Sequence, residues 1–287
     1  MRFITYLGAG GEGVALATSN GYRGLPVATL GADLKQLLAR GGDALRAAAE
    51  RLADSEIVDL EKARLLPPIP MPDKIICIGL NYLDHSKESG FEPPAYPTVF
   101  ARYATSLVAH DAPIIRPNCS EQLDYEGELA VIIGRGGRHI AEADALGHVG
   151  GYSIFNDGSI RDYQFKSPQW TVGKTFDQTG GFGPELVTPD ELPLGCKGLR
   201  LETRLNGEVV QSASTDDLIF GVARLISILS EAITLAPGDV IVSGTPAGVG
   251  LARKPPLWMK PGDVCEVTVE GVGRLSNPII QEAVQRS

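Results

Sequence analysis

The chain has few cysteines, no basic run and no long apolar stretch, and each shortage removes a class of protein. Among its 287 residues, 35 acidic and 26 basic side chains leave a formal charge of −9. With no Lys/Arg cluster, electrostatic attraction to nucleic-acid phosphates is not expected. No 18 consecutive apolar residues occur, so no membrane-spanning helix is predicted. Glu12 interrupts the apolar segment that a secretion signal at the N-terminus would need. The four cysteines, Cys77, Cys119, Cys196 and Cys265, are far apart and form no C-x-x-C pair. That argues against a zinc knuckle or redox pair and for reduced thiols in a cytoplasm. No G-x-S-x-G elbow exists, so a serine α/β-hydrolase is not expected.

What is present suits a folded core, with 43% hydrophobic and 21% charged residues. Pro67, Pro68, Pro70 and Pro72 crowd one short stretch, which neither a helix nor a central strand accepts. This stretch is read as a linker, with a small accessory domain over 1–66 and the main domain over 67–287. The first part suggests strands near 2–7 and 13–18 and helices over 32–40 and 44–53. Past the linker, strand patterns at 74–79, 128–133, 240–242 and 264–269 alternate with Gly-rich loops. One amphipathic helix is predicted over 216–232, with Leu218, Val222, Leu225 and Leu229 at helical spacing and Ser214 or Thr215 as cap. Few helices and many short strands predict a β-rich α+β fold.

Several motifs carry chemistry of different weight. Gly8–Gly13 spells G-x-G-x-x-G, but strand-like residues follow where a dinucleotide site needs a helix, so a hairpin turn is expected. Glu126 and Glu128, two apart at a strand start, share a face. Such a pair is either a solvated strand edge or half of a cation site, and the apolar run after it favours the cation. Asp157, at the end of another apolar run, is the natural third ligand. Three carboxylates without Cys or His specify a hard cation, Mg²⁺ or Mn²⁺. His85 and Glu88 are three apart and would meet on a helical turn. They form either a water-polarising pair or a chance surface pair. Lys174, in an apolar Gly-flanked stretch, either pairs with acids or an anionic substrate or snorkels to the surface. The loop from Gly244 to Gly250 is either a tight turn or a cradle of N–H groups for a carboxylate.

Read together and in order, G-L-N-Y-x-x-H-x-x-E, D-Y-E-G-E-L, N-D-G-S-x-R-D-x-Q, G-K-T-F-D and G-T-P-A-G-V-G resemble the fumarylacetoacetate hydrolase family over about residues 70–285. The resemblance implies a mixed β-sandwich roll, a homodimer and an Mg²⁺ or Mn²⁺ site held by Glu126, Glu128 and Asp157. It implies that His85 and Glu88 activate water on a lid over 79–94, and that Lys174 stands beside a developing enolate. Arg161, Gln164, Thr245, Tyr82 and Arg102 become substrate contacts. Where many relatives have Lys-Pro, this chain has Arg102-Tyr103, and Arg grips carboxylates as a fork rather than a point charge. The expected activity is hydrolysis of the C3–C4 bond of a 2,4-dioxo acid such as maleyl- or fumarylpyruvate, releasing pyruvate and a carboxylic acid. The alternative is a decarboxylase or isomerase of an oxaloacetate-like or 2-hydroxy-diene-dioate acid.

Overall fold

The computed structural model describes residues 1–84 and 94–283. His85, Glu88 and most of the expected lid lie outside the described residues. The fold is α+β and strand-rich, as predicted, built on one large sheet, one smaller sheet and a two-stranded ladder of Leu123–Asp124 with Ser159–Ile160. The large sheet runs, in spatial order, through the strands Gly21–Pro26, Gly11–Thr18, Arg2–Gly8, Gly180–Val187, Val149–Asp157, Gly127–Ile133, Val240–Val242, Ile75–Gly79 and Thr98–Arg102. Arg64–Leu66 and Leu107–Val108 join it off this path. The second sheet has five strands, with Arg200–Leu205, Val264–Val269 and Gly273–Gln281 at its centre.

The strand Gly127–Ile133 is buried along its whole length. Its odd residues, Leu129, Val131 and Ile133, pack with Leu201, Val267 and Leu275 of the second sheet and with Leu225 and Leu229 of a helix. Its even residues, Ala130 and Ile132, pack with Phe3, Leu34, Leu38 and Leu52 from the N-terminal segment. A strand covered on both faces reads as a continuous apolar run, which is why this stretch does not alternate.

The Gly-rich stretch at 8–13 is a hairpin: Gly8 pairs with Gly11 between the strands Arg2–Gly8 and Gly11–Thr18. The predicted 216–232 helix is shorter, covering only Val222–Ala232. Thr215–Asp217 form a separate 3₁₀ turn capped by Ser214, whose hydroxyl accepts from the Asp216 N–H at 3.2 Å. The reason is tertiary. The Ile219 N–H donates to the Asn81 carbonyl at 2.8 Å, and the Phe220 N–H donates to Asn81 Oδ1 at 2.8 Å. Backbone bonded this way is withdrawn from the helix, which begins only after Gly221.

Candidate active site

The chain reversal between Gly127–Ile133 and Val149–Asp157 builds the acidic cluster. Their antiparallel register sets Gly127 against Asn156, and the Asp157 N–H donates to the Glu126 carbonyl at 2.8 Å. Asn156 Oδ1 accepts from the Glu126 N–H at 3.0 Å. Glu126, Glu128 and Asp157 each then offer an oxygen within 4.8 Å of the others, and all three are buried. Gly244, with φ at +109°, turns its N–H onto Glu128 Oε2; a side chain there would be strained.

Three cations surround the three acids. Lys174, 2% exposed, bridges Glu126 Oε2 at 2.6 Å and Asp157 Oδ2 at 2.7 Å. Burial alone would lower its pKa, but the charges of Asp157 and Glu126 outweigh that and raise it, so the ammonium stays charged. The snorkelling reading of Lys174 is thereby set aside. Arg161 holds Asp124 Oδ2 at 2.8 Å through Nε, and its Nη2 lies 2.6 Å from Glu126 Oε1. Its Nη1 donates to Gln164 Oε1 at 2.9 Å.

Arg102 corrects the expectation made for it. Its guanidinium turns onto Asp157 Oδ1, the Gly158 carbonyl at 3.0 Å and Thr179 Oγ1 at 2.9 Å. It is buried, ion-paired with Asp157, and does not line the cavity that the acidic cluster opens into. Tyr82 is likewise buried in the structure and does not line the cavity. Thr245 does line the cavity, but its hydroxyl already donates to the Gly127 carbonyl at 3.0 Å and accepts from Gln211 Nε2 at 2.8 Å. The structure brings together Glu126, Glu128, Asp157, Arg161, Gln164, Lys174 and Thr245.

Glu128 is the member least compensated by these cations. Burial pushes its carboxyl pKa well above the ordinary value, and the charges of Asp157 and Glu126 push it further. An excess of buried carboxylate oxygen that no His or Cys joins among the described residues is the donor set of a hard divalent cation. The residues present therefore fit Mg²⁺ or Mn²⁺. The cluster opens into a cavity of about 790 Å³, walled by Ile78, Phe100 and Trp170 on one part and by Gln164 to Pro168 on another.

Two structural residues escaped the sequence reading. Asp124, completely buried, accepts from the N–H groups of Gly250 at 2.7 Å and Leu251 at 2.9 Å while it holds Arg161. Gln211 ties the Gly127 N–H at 2.9 Å to Thr245. Asp124 stands inside the D-Y-E-G-E motif and could have been found there. Gln211, on an exposed-looking alternating strand, gave no local signal.

Residues 74–280 match the family model described as fumarylacetoacetate (FAA) hydrolase, C-terminal. A mitochondrial oxaloacetate tautomerase, fahd2 of Xenopus laevis, is 41% identical over 250 residues, spanning 86% of this chain and 78% of that protein. The fumarylacetoacetate hydrolase of psychrophilic Exiguobacterium antarcticum superposes with a TM-score of 0.83 at 35% identity, over 98% of this chain and all of the other. The maleylpyruvate hydrolase of Sphingobium sp. SYK-6, solved with manganese(II) and pyruvate, superposes with a TM-score of 0.82 at 26% identity, over 99% of this chain and all of that one.

Proposed function

Since the chain belongs to the fumarylacetoacetate hydrolase family, we propose that it is a divalent-metal-dependent enzyme that forms and quenches the enolate of a 2-oxo acid. The observation that carries this reading is the buried carboxylate triad, charge-locked to Lys174 and open to one cavity. Mg²⁺ or Mn²⁺ held by Glu126, Glu128 and Asp157 would supply Lewis-acid stabilisation to a developing enolate oxygen. Lys174, bridging Glu126 and Asp157, adds a positive charge at that edge of the cluster. Arg161 and Gln164 line the cavity and orient the substrate from one side, with the Thr245 loop on the other. Ile78, Phe100 and Trp170 limit water around the reacting carbons.

Keto–enol exchange of an oxaloacetate-like acid is the reading favoured by relatives about 40% identical over most of the chain. Hydrolysis of an acylpyruvate is the second reading, favoured by the maleylpyruvate hydrolase that matches along the whole chain. In it, His85, oriented by Glu88, would deprotonate water for attack at C4 before the C3–C4 bond breaks. We further propose a homodimer, on resemblance, and a reducing compartment, on four unpaired cysteines of which three are buried. Incubation with oxaloacetate and with acetylpyruvate, each with Mg²⁺ and then with EDTA, separates the readings. Enol–keto relaxation without pyruvate release supports the first, and pyruvate plus acetate supports the second. Full activity after exhaustive chelation would overturn both. His85→Ala should lower acylpyruvate hydrolysis by about 10²–10⁴ if that base is used.

A further inference from the structure

Among the described residues, three cationic side chains line the cavity, and two are already committed: Lys174 to Glu126 and Asp157, and Arg161 to Asp124 and Glu126. The third, Lys166, has no carboxylate within ion-pairing distance among the described residues. Its ammonium lies instead 3.2 Å from the centre of the Tyr163 ring. That contact holds the ammonium over Tyr163 at the exposed edge of the cavity wall and leaves its N–H donors for another partner.

The position of Lys166 is set by the residues that build the acidic cluster. It follows the short helix Arg161–Gln164 and precedes the short helix Thr171–Lys174. These two are clamped together at Gly173, where a Cβ would come within 2.3 Å of the Gln164 nitrogen. Between them, Ser167 Oγ accepts from the Gln169 N–H at 3.2 Å and donates to the Gln169 carbonyl at 3.1 Å, which tightens the connecting loop. Lys166 is itself exposed, and this loop carries it on the cavity wall between the two short helices that bear Arg161 and Lys174.

We propose that Lys166 is the specificity-determining receptor for a second carboxylate on the substrate, so that the enzyme prefers 2-oxo dicarboxylates to 2-oxo monocarboxylates. The inference rests on the 2-oxo-acid reading above and extends it. The triad end takes the 2-oxo acid, and the uncommitted ammonium takes the remote anion. A monoacid leaves that ammonium in water and gains nothing from it.

The test compares oxaloacetate with its 4-methyl ester, which keeps the enolisable carbon and loses the remote charge. kcat/KM for enol–keto exchange is measured for the Mg²⁺-loaded full chain and for Lys166→Gln and Lys166→Arg. The diacid-to-ester ratio should fall about fivefold or more in Lys166→Gln, the scale of one partly solvated ion pair, and recover in Lys166→Arg. The loss should sit mainly in KM and weaken as salt is raised. An unchanged ratio in Lys166→Gln overturns the assignment. If the parent turns over neither compound, the reaction reading falls. Calorimetric titration of the same two compounds then decides Lys166 alone, with the same change in affinity ratio expected and the same lack of change fatal.

Discussion

At the scale of single residues, the site is a balance of buried charges. Glu128 faces Asp157 and Glu126 with its own pKa raised, first by burial and then by their charges. In the metal-free protein it therefore keeps its proton to a higher pH than a free glutamate does. A folded-state pKa above the unfolded one favours the folded chain below the ordinary carboxylate range, and that contribution is lost as pH rises through the raised value. Below that raised value, a cation that binds Glu128 competes with this proton. Metal titration should therefore release protons, and metal affinity should fall as pH is lowered. Calorimetry of Mg²⁺ or Mn²⁺ binding in two buffers of different ionisation enthalpy checks this, and identical apparent enthalpies would refute it. Glu128→Ala should remove both the binding and the proton release. Arg102 is the second case. Its removal breaks a buried ion pair and leaves Asp157, among the described residues, with Lys174 as its cation. Arg102→Ala should weaken metal binding roughly 10–100-fold through the loosened Asp157 and destabilise the fold by about 3–5 kcal/mol. Metal affinity and chemical denaturation read the two effects separately.

At the scale of elements, Asn81 joins three segments that are distant in sequence. Its Nδ2 donates to the Phe220 carbonyl at 3.0 Å and the Ser243 carbonyl at 2.7 Å, while its Oδ1 accepts from the Phe220 N–H. It therefore ties the end of the Ile75–Gly79 strand to the helix start and to the loop whose Gly244 N–H holds Glu128. Asn81→Ala strands buried backbone groups, each worth about 1–3 kcal/mol. The expected loss is several kcal/mol in denaturant unfolding together with weaker metal binding. A loss below about 1 kcal/mol would mean that the loop is held without it. This residue also marks the boundary of what local sequence reveals. The triad was legible because period-two spacing and apolar runs are local signals, and Gly127–Ile133 and Val240–Val242 stand where the pattern put them. Apolar spacing extends the helix over 216–221 because it cannot register a residue as distant in sequence as Asn81, whose carbonyl and Oδ1 take the N–H groups of Ile219 and Phe220. Arg102 was misplaced for a related reason. Its letters allow a fork toward any carboxylate, and only the fold decides that the carboxylate is Asp157.

At the scale of the whole molecule, the proline stretch separates the sequence more sharply than it separates the core. Arg2–Gly8 pairs directly with Gly180–Val187, placing the first three strands at one end of the large sheet. Phe3, Leu34, Leu37, Leu38 and Leu52 share one buried cluster with Ile75, Cys77, Ala130, Ile132, Phe155 and Phe182. The family model begins at residue 74, so the residues that supply half of this cluster lie outside it. Uncovering a large apolar side chain forfeits roughly 1.5–3 kcal/mol, and a domain's whole stability is about 5–15 kcal/mol. Half a dozen such side chains uncovered together forfeit an amount comparable to that whole margin. The fragment 67–287 should therefore be insoluble, or soluble with dye-binding apolar surface and no cooperative thermal transition. Adding 1–66 in trans should restore part of the transition, because the lost contacts are a strand edge and a preformed apolar face. If the fragment alone unfolds cooperatively and binds Mn²⁺ with the affinity of the full chain, the N-terminal segment is an accessory domain in the physical sense too. The acidic cluster, whose ligands and cations all come from residues past 100, would then owe nothing to it.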